Sequence, residues 1–195
     1  MTTSARKKTS YHHGDLPATL LRAGGKLLEE RGPDGIVLRE VARRAGVSHN
    51  APYRHYPDRN TLLAALAAEG FRRLEQGLAG KAGGDVGTAY VAFALEQPQR
   101  FRLMFAGSLR LGNDPALRVA AGRAFEVLLG AFRARGDVPD PERAAAAGWA
   151  LMHGLAHLLV DGHFAQAARR SGSAERLVRD VIGAVRFAAG AQRSA

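Results

Sequence analysis

Apolar residues recur along most of the chain at intervals of three and four, the period of a helix face. The alternation of two that marks a half-buried strand is almost absent. The first stripe, Leu16, Leu20, Ala23, Leu27 and Leu28, predicts a helix from about Asp15, an apt N-cap with Pro17 in the first turn, to Arg31, stopped by Gly32-Pro33. Val41, Ala42 and Ala45 mark the inward side of a short helix over about 38–45, and Gly46 stands where a helix ends in the left-handed conformation. Ser48 is placed to cap a third short helix, 49–56, which Pro57 ends. Asp58 caps a fourth that runs to about Leu78, with Leu62, Leu63, Leu66 and Leu74 on one side. The Gly-rich segment 79–85 has no periodicity and is the clearest break in the chain. Beyond it helices are predicted at about 86–96, 98–106, 115–135, 141–160 and 174–189. Asp114-Pro115, Asp140-Pro141-Glu142 and Ser173-Ala174-Glu175 give three of them good starts. Gly122, Gly130, Gly148, Gly154 and Gly183 fall inside these helices, each at about 1 kcal/mol relative to alanine, so close helix–helix approach is expected at some of them.

Composition supports an all-α fold of about nine helices: strand-favouring residues are scarce, with two Ile and six Thr among 195 residues. The absence of cysteine excludes disulfides, thiol nucleophiles, iron–sulfur clusters and cysteine-ligated zinc. No stretch approaches the roughly 18–20 apolar residues of a membrane span, and the basic N-terminus has no apolar core behind it, so neither a membrane segment nor a secretory signal is expected. The formal charge is +10, and half of it sits in residues 1–60, where 11 Lys and Arg face 6 Asp and Glu. A polyanion is therefore expected at the N-terminal end. Residues 1–12 read as a flexible basic arm carrying Arg6, Lys7 and Lys8.

The chemistry concentrates in 38–59, LREVARRAGVSHNAPYRHYPDR. Two short helices joined at Ala45-Gly46-Val47-Ser48 read as a helix-turn-helix over about 36–55. Gly46 permits the turn, Val47 wedges between the helices, and Ser48 caps the second, whose free N–H groups and positive dipole end suit a phosphate. That helix displays His49, Asn50, Tyr53, Arg54 and His55, a donor-rich set suited to base edges and phosphates in a major groove.

Residues 15–73 resemble the DNA-binding domain of the tetracycline-repressor (TetR) family of bacterial transcription regulators. The resemblance rests on Glu40-Val41-Ala42, on Ala45-Gly46-Val47-Ser48, and on Tyr53-Arg54-His55-Tyr56-Pro57-Asp58-Arg59 leading to Leu62-Leu63. EQPQRFRLMF (96–105), Trp149, His153-Gly154 and the preface YHHGDL (11–16) are similar to the subgroup named for a Trp…His-Gly motif. The resemblance implies a three-helix DNA-binding domain over 13–73 joined to a helical effector-binding and dimerisation domain over 85–190. It implies phosphate contacts from Ser48, Tyr53, His55 and Arg59, base contacts from His49, Asn50 and Ala51, and a backbone-crossing helix carrying Arg39 and Arg43. Val37 departs from the pattern, standing where a Ser or Thr usually caps the second helix, and Pro52 lies in or just past the first turn of the recognition helix. The implied protein is a cytoplasmic, homodimeric, non-enzymatic regulator without cofactor. It pairs through its last two helices, reads near-palindromic double-stranded operator DNA and is released by a small molecule. Phe93, Phe101, Met104, Phe105, Phe125, Trp149, Met152 and His153 are the expected effector-site residues, with Tyr90 and Gln97 as further polar candidates.

Two other readings compete. His153 and His157, four apart with Asp161 a turn on, have metal-ligand spacing and would suit a metal- or ligand-binding hydrolase, but Gly154 stands where a zinc hydrolase wants Glu. A nonspecific basic DNA-coating protein would show a steep salt dependence and no preferred sequence.

Overall fold

Most of the long helices begin where the sequence offers a side-chain oxygen to their first free amides, as the caps predict. A computed structural model describes residues 16–82, 84–107 and 114–191, with side chains to 185 in the last helix. The basic arm 1–12 and Asp15 lie outside the described residues. Helices α1 (Leu16–Arg31), α2 (Leu38–Arg44) and α3 (Arg59–Leu78) form the N-terminal part. They are followed by α4 (Gly84–Glu96), α5 (Pro98–Met104), α6 (Pro115–Arg133), α7 (Pro141–Val160), α8 (Ala165–Ser171) and α9 (Ala174–Ala191). No strand occurs among the described residues. Asp58 accepts from Thr61 N at 2.7 Å, Asp114 from Leu117 N at 2.9 Å, Asp140 from Arg143 N at 3.0 Å and Ser173 Oγ from Arg176 N at 3.1 Å. Each bond satisfies one of the amides a helix start leaves free. None of the described helices is long and apolar enough to cross a membrane.

Two expectations change. The segment expected as a helix over 49–56 is a single 3-10 turn, Ala51–Arg54. Pro52 has no N–H to give to an earlier carbonyl, and its ring disfavours the α conformation at Ala51. The chain therefore closes in tighter steps, with Ala51 N on Ser48 O at 3.0 Å and His55 N on Pro52 O at 2.9 Å. Ser48 does not act as the cap: the turn starts at Asn50 with no side-chain cap bond, and Ser48 contributes its carbonyl instead. Close approach is expected at some of the five helix-interior glycines, and Gly148 is at one, where a Cβ would stand 2.9 Å from Phe132 Cζ. The other four have open space, and the tight positions are Gly70 beneath Met104, Gly87 beneath Met152 and Gly25 against Arg100. Helix α8 and a short 3-10 turn at Pro33–Gly35 carried no periodic signal long enough to predict them.

A single apolar core runs from Leu20 to Val178. Helix α3 is its spine, packed chiefly on α6 and also on α5, α4 and α1. Its first turns belong to the N-terminal part and its last turns to the C-terminal part, so the two halves share one helix and one core.

Candidate functional site

The helix-turn-helix is built around one turn. Gly46 has φ +70°, Gly46 N donates to Arg43 O at 3.2 Å, and Val47 N reaches back to Ala42 O at 3.0 Å. This pair of bonds closes a helix end through a left-handed residue, which glycine adopts without steric cost. Val47 then packs on the core, holding the following segment at a fixed angle to α2. At the other end of α2, Val37 is exposed and gives no side-chain cap. Glu40 in the first turn offsets this partly and organises the basic side chains. It accepts from Arg43 at 2.7 and 2.8 Å and from Arg44 at 3.0 Å, and those hydrogen bonds pull its carboxyl down to about 2. Arg44 also reaches Glu30 on α1 at 2.7 Å.

The tip of the motif presents Ser48, His49, Asn50, Tyr53, Arg54 and His55 to solvent, with Ala51 half-buried. Arg39 and Arg43 are exposed on α2. The two tyrosines of the signature part company: Tyr53 is 44% exposed, whereas Tyr56 is 7% exposed and sits in the core, its hydroxyl pKa raised by burial. Arg59 is half-exposed and folds back onto the loop before α2. Its guanidinium donates to Pro33 O at 2.7 Å and Ile36 O at 3.1 Å, and lies 3.4 Å from Asp34 Oδ1. It thereby ties the first turn of α3 to the loop that launches α2. Arg22 and Lys26, one helical turn apart on α1, line a surface groove with Arg43 and Arg44 that the sequence reading missed. The i, i+4 basic pair was the available signal.

A second feature lies at the other end of α3. A partly open cavity of about 100 Å³ is lined by Phe71, Leu74 and Leu78 of α3, Tyr90 of α4, Phe105 at the end of α5, Ala121, Ala124, Phe125 and Leu128 of α6, and Trp149 of α7. Of the residues expected at an effector site, Phe105, Phe125, Trp149 and the polar candidate Tyr90 line it. Phe93, Phe101, Met104 and Met152 do not; they are buried where helices pack, Met104 over Gly70 and Met152 over Gly87. The wall from α3 was not foreseen. His153 stands behind the wall and reaches the cavity through Tyr90: its Nδ1 is 2.9 Å from Tyr90 Oη, which also accepts from Trp149 Nε1 at 3.2 Å. Burial and the neighbouring His157 hold the His153 pKa below the usual histidine range, so its ring is neutral at pH 7. Burial raises the Tyr90 hydroxyl pKa. Gln97 lies apart, ahead of α5.

The metal reading finds little support. His153 is engaged by Tyr90, Asp161 is held by Arg102 at 2.8 Å, and no group of three potential ligands occurs among the described residues.

Known proteins match both parts. Residues 20–66 match the family "Bacterial regulatory proteins, tetR family", and 84–181 match "Tetracyclin repressor-like, C-terminal domain". The chain is 37% identical over 57 residues to an HTH-type transcriptional regulator of Mycobacterium tuberculosis, covering 29% of this chain and 30% of that one. It is 45% identical over 51 residues to the class A tetracycline repressor of transposon 1721 from Escherichia coli, covering 26% and 24%. The matches thus span under a third of these curated relatives. Solved structures extend the likeness to nearly the full length. A Rhodococcus sp. RHA1 protein of unknown function is 32% identical with a TM-score of 0.76, over 91% of this chain and 96% of that one. PfmR, a TetR family regulator from Thermus thermophilus, shares the fold at 20% identity and a TM-score of 0.56, over 84% and 94%. With the helix-turn-helix geometry, the shared fold and the two family matches together, the chain belongs to the TetR family of non-enzymatic, DNA-binding transcriptional regulators.

Proposed function

We propose that this protein is a cytoplasmic, homodimeric repressor that binds a near-palindromic operator and is released when a small molecule enters the cavity. One observation carries the reading: α3 is a single 20-residue helix whose first residue, Arg59, ties down the loop before α2, and whose last turns, through Phe71, Leu74 and Leu78, form a cavity wall. A ligand that moves the wall moves the mount of the reading head. Linkage then requires operator DNA to weaken ligand binding by the same factor.

On the DNA side, His49, Asn50 and Ala51 read base edges, while Arg39, Arg43, Ser48, Tyr53, Arg54 and His55 contact phosphates, with Arg22 and Lys26 extending that track. The exposure of Ser48, His49, Asn50, Tyr53, Arg54 and His55 at the motif's tip, and of Arg39, Arg43, Arg22 and Lys26 on α2 and α1, supports this set. Arg59 supports the motif by bonding two carbonyls of the loop before α2. Pairing through α7 and α9 is favoured by a solvent-facing stripe of small and apolar residues, Ala147, Ala150, Gly154 and Leu158 on α7, and by Ala184 and Val185 on α9. Two copies bring two reading heads to one site. Membership of the Trp…His-Gly subgroup is supported by the meeting of Trp149 and His153 on one tyrosine hydroxyl.

Selection of bound genomic fragments with the purified protein tests the reading. A recurrent inverted repeat is expected, bound at least about 10³ times more tightly than bulk DNA. Asn50→Ala should relax preference at one base pair per half-site, at a cost of about 1–3 kcal/mol. Sequence-independent binding with a steep salt slope would refute specific regulation.

A further inference from the structure

The cavity's chemistry points to a ligand class, and we infer that it takes an uncharged single-ring aromatic compound carrying a hydroxyl, bound with the ring among Phe71, Phe105 and Trp149 and the hydroxyl on Tyr90 Oη. This inference rests on the reading of the cavity as the effector site and specifies what enters it.

Charge is decided by the walls. None of the ten lining residues carries a charge, so an ionised ligand would lose its hydration without meeting a counter-ion. Carboxylates and amines are disfavoured on that ground. Shape is decided by the rings. Phe71 and Phe105 meet edge to face at 5.4 Å, Phe105 and Trp149 lie 6.3 Å apart, and Phe125 and Trp149 5.8 Å. Such spacings leave ring faces and edges for a planar guest, the arrangement aromatic pairs prefer. Size follows from the volume. About 100 Å³ is somewhat smaller than the roughly 150 Å³ apolar cavity that accommodates benzene, so one ring fits with slight yielding of the wall and a fused pair does not. Trp149, 38% exposed, is the side chain able to yield.

The hydroxyl follows from valence counting at Tyr90. A tyrosine oxygen has one proton and two lone pairs. Trp149 Nε1 can only donate, so it takes one lone pair at 3.2 Å. His153 Nδ1, at 2.9 Å, takes either the proton or the second lone pair, according to its tautomer. One valence is left in both cases, a lone pair in the first and the proton in the second. A hydroxyl both donates and accepts and so satisfies either. A bare ring satisfies neither.

Calorimetry of the full-length protein with p-cresol, toluene and p-toluate tests this. Trp149, the chain's single tryptophan, reports by its fluorescence whether heat arises at the cavity. The expected order is p-cresol, then toluene weaker by about three- to tenfold, the worth of one net hydrogen bond, then p-toluate weaker by at least about 100-fold. Tyr90→Phe should bring p-cresol and toluene to equal affinity, and Ala121→Phe, which fills the space, should abolish both. Equal binding of p-cresol and toluene to the unaltered protein, tighter binding of p-toluate, no binding by any probe, or heat without a Trp149 response would each overturn the inference. Fluorescence anisotropy with a selected operator fragment forms a separate arm. Binding of p-cresol at Trp149 without operator release would uphold the ligand class and sink the release mechanism.

Discussion

Arg100 and Glu69 form a pair whose two halves should differ sharply in what their removal costs. Arg100 is 3% exposed and is the one charged residue fully buried among those described. Its Nη1 donates to Leu66 O at 3.2 Å and lies 3.7 Å from Glu69 Oε2, while its Nε and that same glutamate oxygen have no hydrogen-bond partner. Burial pushes the guanidinium pKa down and Glu69 pushes it back. Arg100→Met removes a charged hydrogen bond worth about 1.5–3 kcal/mol, but also removes an orphaned donor that costs about 1–3 kcal/mol to bury. The methionine retains much of the volume. Glu69 is not stranded, because its Oε1 still accepts from Arg73 at 2.5 and 2.9 Å. The net change should lie within about 1 kcal/mol of zero. Glu69→Gln is different. It leaves a buried guanidinium facing a neutral amide, with Glu29 the nearest other acid and already engaged on the Gln99 and Arg100 amides at 3.1 and 3.0 Å. Stranding a buried charge costs about 3–5 kcal/mol; the long 3.7 Å separation and partial solvent access of Glu69 place this case at about 2–4 kcal/mol.

At about 2–4 °C per kcal/mol for a chain of this size, Arg100→Met should move Tm by no more than about 4 °C and Glu69→Gln lower it by roughly 5–15 °C. Urea unfolding of both variants at one protein concentration, with the denaturant slope checked for constancy, measures the difference. If Arg100→Met costs as much as Glu69→Gln, the desolvation argument fails. The contacts from α5 to α1 and α3 would then be net stabilising through the guanidinium itself.

Arg59→Ala should destabilise the fold by about 1–2 kcal/mol, through loss of its bonds to Ile36 O and to Pro33 O, which keeps the bond from Ile36 N, and weaken operator binding without altering its salt slope, whereas Arg54→Ala should lower that slope by about one per protomer. A reduced slope for Arg59→Ala with unchanged stability would instead make it a phosphate contact. His153 is held neutral by burial and by His157, so the unfolded chain binds its proton more readily. Stability should therefore decline as pH falls through about 6.5, and His153→Gln should flatten that limb of the urea midpoint against pH; an unchanged limb removes His153 from the linkage. Gly148→Ala must displace the Phe132 ring and should cost about 1–3 kcal/mol, while Gly154→Ala, in open space, should not destabilise the protomer, as chemical denaturation of each would show.

What the sequence made legible was whatever is decided within one helical turn. Asp58, Asp114, Asp140 and Ser173 cap as expected because a cap needs only its own next three residues. Gly46 is left-handed for the same local reason. The 3-10 turn at 51–54 is not legible because eight residues cannot distinguish α from 3-10 periodicity, and a proline in the first turn is compatible with either. The cavity escaped for a different reason. Apolar spacing says that a side chain is buried, and a void is a mismatch of volumes between helices distant in sequence. Phe101 and Phe105 share a face of α5 and its exit, yet only Phe105 reaches the space, because Ala121 and Ala124 of α6 stand opposite it. Arg100 gave no warning at all, since nothing in PQRFRLM marks one arginine as buried and the next as half-exposed.

The division of the chain shows where a composition break misleads. The Gly-rich segment 79–85 marks the end of α3, and the family matches stop at 66 and resume at 84, so both suggest a boundary between an N-terminal and a C-terminal part. The core has no such boundary. Leu62 and Leu66 of α3 pack with α1, and Phe71, Leu74 and Leu78 of the same helix face the cavity. From Arg59 to Leu74 the helix runs about 22 Å at 1.5 Å per residue, without a proline to absorb a bend. Gly70, its one glycine near the middle, is clamped under Met104, where a Cβ would come within 2.6 Å of the sulfur. In the proposed release mechanism, a displacement at the cavity end would pass along a helix without proline to Asp58 and Arg59, where the loop before α2 is tied. The glycine-rich segment follows α3, so the proposed reading head and the cavity share one uninterrupted helix.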